Sequence, residues 1–182
     1  MGEDKGLMRL NSTAWAQIAA DKLSTIKIPA ILSVSAPQFD KYALEFPNSV
    51  LVRDKEEIQI KGPVCGILSV HINYPEVDLL VLACDMLMME PYLLEDLFET
   101  YQSNPGFDNY AFTSEDQPEP LCGIYTADSL KEILQVHQQR RLHNHSVKFI
   151  LEQGNSFHIE IPHEQKLHFQ NINMKEDIEK LW

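Results

Sequence analysis

One uncharged run constrains the fold of this chain more than any other segment. The residues from Leu79 to Cys84 are apolar or sulfur-bearing, and they lie between Asp78 and Asp85. A short run of this kind is typical of a strand that is buried on both faces of a sheet. Ligands of open α/β sheets bind beyond the carboxyl ends of the strands. Asp85 is therefore predicted to lie at a ligand-binding edge.

Asp85 has two interpretations. It is a candidate ligand for Mg²⁺ carrying a phosphate-bearing substrate, because Mg²⁺ is usually held by one or two carboxylates together with phosphate oxygens. It is also a candidate N-cap for the helix predicted to begin near Pro91. The strand alone slightly favours the cap, and the motifs described below favour the metal ligand.

Composition excludes several classes of function. The 182 residues predict one domain, spanning residues 1–182. The net charge of −12 argues against a nucleic-acid partner or an anionic membrane surface, which need a basic footprint. The sequence shows no signal peptide and no apolar stretch of membrane-spanning length. Three widely spaced cysteines are typical of reduced thiols, so a cytoplasmic location is predicted.

The first half of the chain alternates helices with strands. This pattern predicts βαβ units and a mostly parallel sheet covered by helices on both sides, which is an α/β fold. The predicted helices are Leu10–Leu23 with Asn11-Ser12-Thr13 as its cap region, a short one through Tyr42, Val64–Asn73 and Pro91–Tyr101. The predicted strands are Ile28–Ser35, Ser49–Arg53 and the run that ends at Asp85.

The second half has a different pattern. Strands are predicted at Asn109–Thr113 and Leu121–Thr126, on either side of an acidic loop from Ser114 to Pro120. The remaining predicted elements are helices at Asp128–His137, Ser146–Glu152 and Met174–Trp182, a strand at Ser156–Ile161, and a short extended segment at Leu167–Gln170 beside it.

Three short motifs are ambiguous when each is taken alone. Gly62 and Gly66 flank a helix start, which fits close approach of a ligand to the backbone or merely a tight loop. Lys5 is either a phosphate contact or a solvated lysine. Asn171 and Asn173 offer paired amides to a fused heterocycle, and Asn173 is also a candidate cap for the last helix.

Taken in order, four segments resemble the molybdenum cofactor guanylyltransferase family. Met1-Gly2-Glu3-Asp4-Lys5-Gly6-Leu7 resembles its R-M-G-x-D-K-x-L segment, and Asp54 followed by Gly62-Pro63-Val64-Cys65-Gly66-Ile67 resembles its D…G-P-L-A-G-I. Ala83-Cys84-Asp85-Met86 is similar to the C-D-M/T-P signature. The stretch from Phe169 to Asp177 is similar to the F-x-N-I/V-N-T-P-E-D tail.

The resemblance implies a Rossmann-like three-layer α/β/α nucleotidyltransferase. It would transfer GMP from GTP to the phosphate of molybdopterin and release pyrophosphate, with Mg²⁺ as cofactor and other molybdenum cofactor assembly proteins as partners. By resemblance, Asp85 would hold the metal, and Lys5 and Asp85 would be catalytic. Gly2, Ser33 and Asp54 would join them in binding the nucleotide, while Gly62, Gly66, Asn171 and Asn173 would face the pterin.

The chain departs from the family pattern at its amino end. Family members open with a strand and a glycine-rich L-A-G-G-x-S-x-R loop, whereas this sequence begins at the methionine that follows. We expect an N-terminally truncated domain whose natural start lies upstream; the alternative is a genuinely short, inactive chain. Ser33 replaces an asparagine common in part of the family, and Met86-Leu87 lacks the usual proline.

Two alternative functions follow from these departures. One is a non-catalytic partner that binds molybdopterin without turnover. The other is a related nucleotidyltransferase that uses cytidylyl or sugar-phosphate substrates.

Overall fold

The computed structural model describes residues 4–172. Its helices are α1 (Trp15–Thr25), α2 (Phe39–Glu45), α3 (Pro63–Asn73), α4 (Pro91–Ser103), α5 (Ala127–Gln138) and α6 (Val147–Gln153). Its strands are β1 (Arg9–Leu10), β2 (Thr13–Ala14), β3 (Ile31–Val34), β4 (Val50–Arg53), β5 (Leu79–Leu82), β6 (Asn109–Ser114), β7 (Gln117–Tyr125) and β8 (Ser156–Glu160). Short 3₁₀ helices cover Lys5–Leu7, Glu56–Ile58 and His163–Phe169.

The strands form sheets of mixed direction. β3 and β4 pair in parallel, and a four-stranded sheet has the order β5-β7-β6-β8. Within it, β6 and β8 are parallel, while β7 runs antiparallel to both of its neighbours. The predicted α/β class is confirmed, and the sheets are partly rather than mostly parallel. The reason is that β6 and β7 form a hairpin, whose strands must run in opposite directions.

Helices cover both faces of the four-stranded sheet, which confirms the three-layer arrangement. Ala111 and Tyr125 pack with α3, α5 and α6 on one face. Tyr110, Phe112 and Ile124 pack with α4 on the other face. The alternation follows from the two-residue period of a strand.

The hairpin replaces the acidic loop that was predicted from Ser114 to Pro120. Its turn consists of Glu115 and Asp116, both with positive φ, so β7 begins at Gln117 rather than at Leu121. Positive φ at two central residues is the geometry of tight hairpin turns. The prolines after the turn lie on the part of β7 that extends beyond β5, where none of the described strands pairs with it on that side.

Two further predictions were wrong. Asn11 and Ser12 do not cap a helix; both have positive φ and form the turn between β1 and β2, so α1 begins only at Trp15. The extended segment predicted at Leu167–Gln170 lies largely within the 3₁₀ helix His163–Phe169. The predicted last helix, Met174–Trp182, lies outside the described residues.

Two helix starts confirm the cap chemistry expected of their sequences. Gly62 adopts φ of 85° at the N-cap of α3, and Pro63 follows at the first helical position, where its missing N–H costs nothing. The Ser146 hydroxyl accepts a hydrogen bond from the Phe149 N–H at the start of α6. None of the helices described here is long and apolar enough to cross a membrane.

Strand β5 differs from the expectation of burial on both faces. All its residues, Leu79–Leu82, are only half-buried, although none is polar. One edge of β5 pairs with β7, and the opposite edge faces a cavity. The open edge explains the incomplete burial.

Candidate active site

The carboxyl ends of β3 and β5 meet at one edge of the molecule. Val34, the last residue of β3, and Cys84, which follows β5, both line a cavity of about 540 Å³. The amino-terminal Asp4 and Lys5 line the same cavity. Three segments that are distant in sequence therefore converge where ligands of α/β folds usually bind.

Lys5 and Asp85 form an ion pair in this region. The Nζ atom of Lys5 lies 2.8 Å from Oδ2 of Asp85. The Lys5 side chain keeps 34% of its exposure and the Asp85 side chain keeps 17%, so a ligand can reach both charges. Asp85 does not cap α4, because Glu90 holds the N-cap position before Pro91. The structure thus places the carboxylate just beyond the carboxyl end of β5, where the sequence predicted it.

Asp4 contacts two side chains of the segment after β3. Its carboxylate accepts hydrogen bonds from Gln38 Nε2 at 2.8 Å and from the Tyr42 hydroxyl at 2.9 Å. Gly6 packs against Tyr42 so closely that an added Cβ would overlap the hydroxyl oxygen. Burial, followed by the interaction with Asp4, raises the pKa of Tyr42 well above its ordinary value.

Sequence reasoning missed Gln38 and Tyr42. Their spacing of four residues places them on one side of a helical turn, and both line the cavity beside Lys5. That spacing was the available signal, but nothing in it identified Asp4 as the partner.

Ser33 and Asp54 form a second polar pair, and Gly66 lies against it. The Ser33 hydroxyl donates to Asp54 Oδ1 at 3.2 Å. A Cβ on Gly66 would lie 2.8 Å from Ser33 Oγ and 3.6 Å from Asp54 Oδ1. Burial raises the pKa of Asp54, and the hydrogen bond from Ser33 opposes that shift. The absence of a side chain at position 66 leaves room for this pair.

The turn after Asp85 is held by a half-buried lysine. Lys22 of α1 donates to the carbonyls of Met86 at 3.2 Å and Leu87 at 2.6 Å. Burial lowers the pKa of Lys22 to about 8, and the charge of Glu90 opposes the shift. Lys22 was not singled out from the sequence, since one lysine on an amphipathic helix gives no signal of its own.

Cys84 lies between acidic groups and is unsuited to nucleophilic chemistry. Burial, and after it the charges of Asp85 and Asp4, raise its pKa to about 11. A thiol with such a pKa stays protonated near neutral pH. Its role at this edge is therefore one of packing.

The tail predicted to bind the pterin reaches the same edge. The Ile172 N–H donates to the backbone carbonyl of Asp85 at 2.9 Å, and the Ile172 side chain packs with Met8 and Trp15. Asn171 precedes it and is exposed. Asn171 is therefore the chain neighbour of a residue that is anchored on the backbone of Asp85.

The predicted site residues thus fall into two neighbouring groups. Lys5 and Asp85 form the first, while Ser33, Asp54 and Gly66 form the second. Ser33 lines both the smaller cavity and a larger apolar cleft, so it joins the two groups. Gly62 lies on the rim of that cleft and is exposed. Gly2 and Asn173 lie outside the described residues.

The arrangement of acidic groups limits metal binding by protein atoms alone. Among residues 4–172, no group of three or more histidine, cysteine, aspartate or glutamate side chains is placed to hold a metal ion. Mg²⁺ sites that serve phosphate substrates commonly take only one or two protein carboxylates. Asp85 offers one carboxylate of this kind.

Comparisons with known proteins identify the family. The profile of the MobA-like NTP transferase domain matches residues 1–155. A molybdenum cofactor biosynthesis bifunctional protein from Synechocystis is 30% identical over 131 residues, which cover 72% of this chain and 37% of that protein. A probable molybdenum cofactor guanylyltransferase from Geobacillus is 27% identical over 142 residues, covering 76% of this chain and 71% of the relative.

A solved structure shows the same fold. Molybdopterin-guanine dinucleotide biosynthesis protein A from Archaeoglobus fulgidus superimposes with a TM-score of 0.76 at 21% identity, covering 98% of this chain and 89% of that one. The expected Rossmann-like nucleotidyltransferase fold is therefore confirmed. Together with the profile match over residues 1–155, this makes the chain a member of the MobA-like NTP transferase domain family, which consists of nucleotidyltransferase enzymes.

Proposed function

We propose that this chain transfers GMP from GTP to the terminal phosphate of molybdopterin. An oxygen of that phosphate forms a bond to the α-phosphorus of GTP, the bond from the α-phosphorus to the bridging oxygen breaks, and pyrophosphate leaves. The attacking phosphate is ionised at neutral pH, so no general base is needed. Catalysis then consists of alignment and of stabilising charge on the phosphates.

One observation carries the proposal: the Lys5–Asp85 ion pair at the edge where β3 and β5 end. The pair has a separation of 2.8 Å and is accessible to ligands. A lysine paired with an aspartate in a cavity suits a triphosphate, because the ammonium contacts phosphate oxygens and the carboxylate is freed to bind a cation. A bound cation together with the Lys5 ammonium would offset the chain's net charge of −12 locally.

The residues present fit Mg²⁺ as the cofactor. The oxygen donor of Asp85 is the ligand type that Mg²⁺ prefers, and one such carboxylate suffices when phosphates supply other positions. When bound, the ion would neutralise charge on the α-phosphate and on the leaving pyrophosphate. Lys5 would hold the phosphates, and the Lys22 hydrogen bonds would keep the turn after Asp85 in place.

The remaining residues are assigned by their position around the cavities. Ser33 and Asp54 are proposed to bind the guanosine, since their hydrogen-bonded pair lies beside Gly66, where the backbone leaves space. Asn171 and Asn173 are proposed to face the pterin with Gly62 and Gly66. The Ile172 hydrogen bond to Asp85 supports this assignment for Asn171, because it holds the tail at the phosphate end of the site.

Location and further partners belong to the same proposal. Cys65, Cys84 and Cys122 are all free thiols in the described chain, which supports a reducing compartment such as the cytoplasm. Contact with other molybdenum cofactor assembly proteins would follow from the product, which must be delivered onward.

The test is isothermal calorimetry with GTP in the presence and absence of Mg²⁺. We expect Mg²⁺-dependent binding that Asp85→Asn weakens at least tenfold, because the amide keeps the shape of the carboxylate but loses its charge. Asp96→Asn is the matched control, since Asp96 is an exposed aspartate on α4 and lies away from both cavities. Equal GTP affinity in the wild type and in Asp85→Asn would refute the metal assignment.

Turnover distinguishes the candidate functions. Pyrophosphate release with GTP and molybdopterin, but not with CTP, is expected from a guanylyltransferase. A preference for CTP would instead indicate the cytidylyl alternative. Molybdopterin binding with no pyrophosphate release from either nucleotide would indicate a non-catalytic partner.

A further inference from the structure

The segment Asp85–Met88 leads from β5 toward α4, and every one of its backbone carbonyls accepts a hydrogen bond from another part of the chain. Two of these bonds come from Lys22 of α1. Its Nζ atom lies 3.2 Å from the carbonyl oxygen of Met86 and 2.6 Å from that of Leu87. One ammonium group therefore bridges two successive peptide groups of the segment.

The other two bonds come from the last part of the described chain. His168 Nδ1 lies 2.8 Å from the carbonyl oxygen of Met88. A carbonyl oxygen can only accept, so this ring nitrogen carries the hydrogen and donates. The Ile172 N–H donates to the carbonyl of Asp85 at 2.9 Å. Two regions from opposite ends of the sequence therefore converge on one short segment.

The side chains of this segment are anchored as well. Met86 is 3% exposed and packs in a cluster with residues of α4 and of the four-stranded sheet. Leu87 packs in a separate cluster with Met8 and Trp15. Segments that move readily have few buried apolar contacts and solvent-exposed hydrogen bonds, whereas this one is held through both its backbone and its side chains.

Holding the segment with a lysine costs free energy. The Lys22 side chain is half-buried, and this burial lowers its pKa to about 8, against the opposing charge of Glu90. A segment that only connected β5 to α4 could leave its carbonyls to water, because connecting segments normally run over the surface. What distinguishes this segment is its first residue, Asp85, whose carboxylate pairs with Lys5.

The backbone of the segment determines where that carboxylate points. The rotamers available to a side chain depend on the backbone dihedrals of its residue. Rotation of the peptide group between Asp85 and Met86 would therefore move the carboxylate away from the Lys5 ammonium, which lies 2.8 Å from it. Displacing a functional group by about 1 Å can cost roughly a hundredfold in rate.

We propose that Lys22 and His168 are positioning residues for Asp85. By holding the segment Asp85–Met88, they keep the Asp85 carboxylate beside Lys5, at the proposed cation site. Neither side chain is among the described residues that line the two cavities, so both act through the backbone. The role of the carboxylate toward a cation rests on the proposed function, whereas the hold on the backbone does not.

Two pairs of variants separate the hydrogen bonds from the bulk of the side chains. Lys22→Met keeps an unbranched apolar stem but removes the ammonium, whereas Lys22→Arg keeps a charged donor. His168→Phe keeps an aromatic ring beside Tyr92 but removes the donor, whereas His168→Asn keeps an amide nitrogen that can donate. Lys131→Met is the matched control, because Lys131 is an exposed lysine on α5 and is not among the described residues that line the cavities.

Amide hydrogen exchange of the 182-residue chain tests the hold on the backbone without a ligand. The Ile172 amide reports directly on Asp85, because it is bonded to that carbonyl, and the Asp108 amide is the internal reference, because it is bonded elsewhere in the fold. We expect at least tenfold faster exchange at Ile172 in Lys22→Met and in His168→Phe, with no change at Asp108. The Arg, Asn and control variants should exchange like the wild type. Unchanged exchange at Ile172 in either disrupting variant would overturn the role of that residue.

Calorimetry with GTP distinguishes a positioning role from a merely structural one. We expect Lys22→Met and His168→Phe to weaken GTP binding at least fivefold with Mg²⁺ and less than twofold without it, because only the metal-dependent part uses the Asp85 carboxylate. The Arg and Asn variants should restore the affinity to within twofold of the wild type.

The two measurements separate the possible failures. Faster exchange at Ile172 together with an unchanged affinity for GTP and Mg²⁺ would overturn the positioning role. A wild-type chain with no Mg²⁺-dependent binding would refute the proposed function instead. The exchange result would then decide by itself whether Lys22 and His168 hold Asp85.

Discussion

Replacing Gly66 by alanine sets two effects of similar size against each other. Gly66 lies inside α3, where alanine is more favourable than glycine by about 1 kcal/mol. The new Cβ would lie 2.8 Å from Ser33 Oγ, which is closer than side-chain atoms normally approach. The hydroxyl must therefore rotate away, and its 3.2 Å hydrogen bond to Asp54 is lost.

The magnitudes follow from these contacts. A typical hydrogen bond contributes about 0.5–1.5 kcal/mol net, so its loss nearly offsets the helix gain. We expect Gly66→Ala to change the free energy of unfolding by less than about 0.5 kcal/mol, as the difference of these two terms. With Ser33→Ala in place, the nearest remaining atom of that residue is its Cβ at 3.5 Å, an ordinary contact. In that background Gly66→Ala should stabilise the fold by the full helix term of about 1 kcal/mol.

The assay is a double-mutant cycle in urea. Unfolding curves of the wild type, Gly66→Ala, Ser33→Ala and the double variant should give a coupling free energy of about 1 kcal/mol. Calorimetry on the same four proteins is expected to show weaker GTP binding in each single variant. Equal stabilisation by Gly66→Ala in both backgrounds would refute the argument, because the alanine would then not contact Ser33.

Other predictions concern the surrounding framework. Asp78→Ala removes the acceptor of the Tyr101 hydroxyl (2.5 Å) and the Ala127 N–H (2.7 Å), and should lower the urea-derived free energy of unfolding by about 2–4 kcal/mol. The hydrogen bond to Asp78 raises the pKa of Tyr101 to about 12, so stability should fall as pH rises from 10 to 12. Tyr101→Phe should flatten that decline in denaturation measured across this pH range. Gly6→Ala should lower the melting temperature, and less so in a Tyr42→Phe background.

The parts of the fold that local sequence determines were predictable. Gly62-Pro63 marked the start of α3, and the helix ends at Asn73 as expected. The apolar run before Asp85 correctly predicted that this residue follows the carboxyl end of a strand, because strand and turn are both local features. Its pairing with Lys5 joins residues 80 positions apart, and no local pattern encodes such a contact.

The mistakes have a shared physical origin. Asn11-Ser12 and Glu115-Asp116 form turns with positive φ although neither pair contains glycine. The strongest short-range signal for a tight hairpin turn is Asn-Gly or Asp-Gly, and neither turn carries it, so the sequence pattern did not reveal them. The burial of β5 was overestimated for a related reason. An apolar run indicates that a strand requires apolar surroundings, but it does not show whether both edges of the strand are paired. Among the described strands, only β7 pairs with β5, along one edge.

The hydrogen bond from Ile172 to the Asp85 carbonyl has a consequence for biosynthesis. Because a ribosome makes the chain from its amino end, the acidic tip and its lysine partner emerge long before the residue that closes this contact. The turn at Asp85 can take its final form only after Ile172 has left the ribosome. Nascent chains of this protein should therefore acquire ligand affinity late, after most of the sheet has formed.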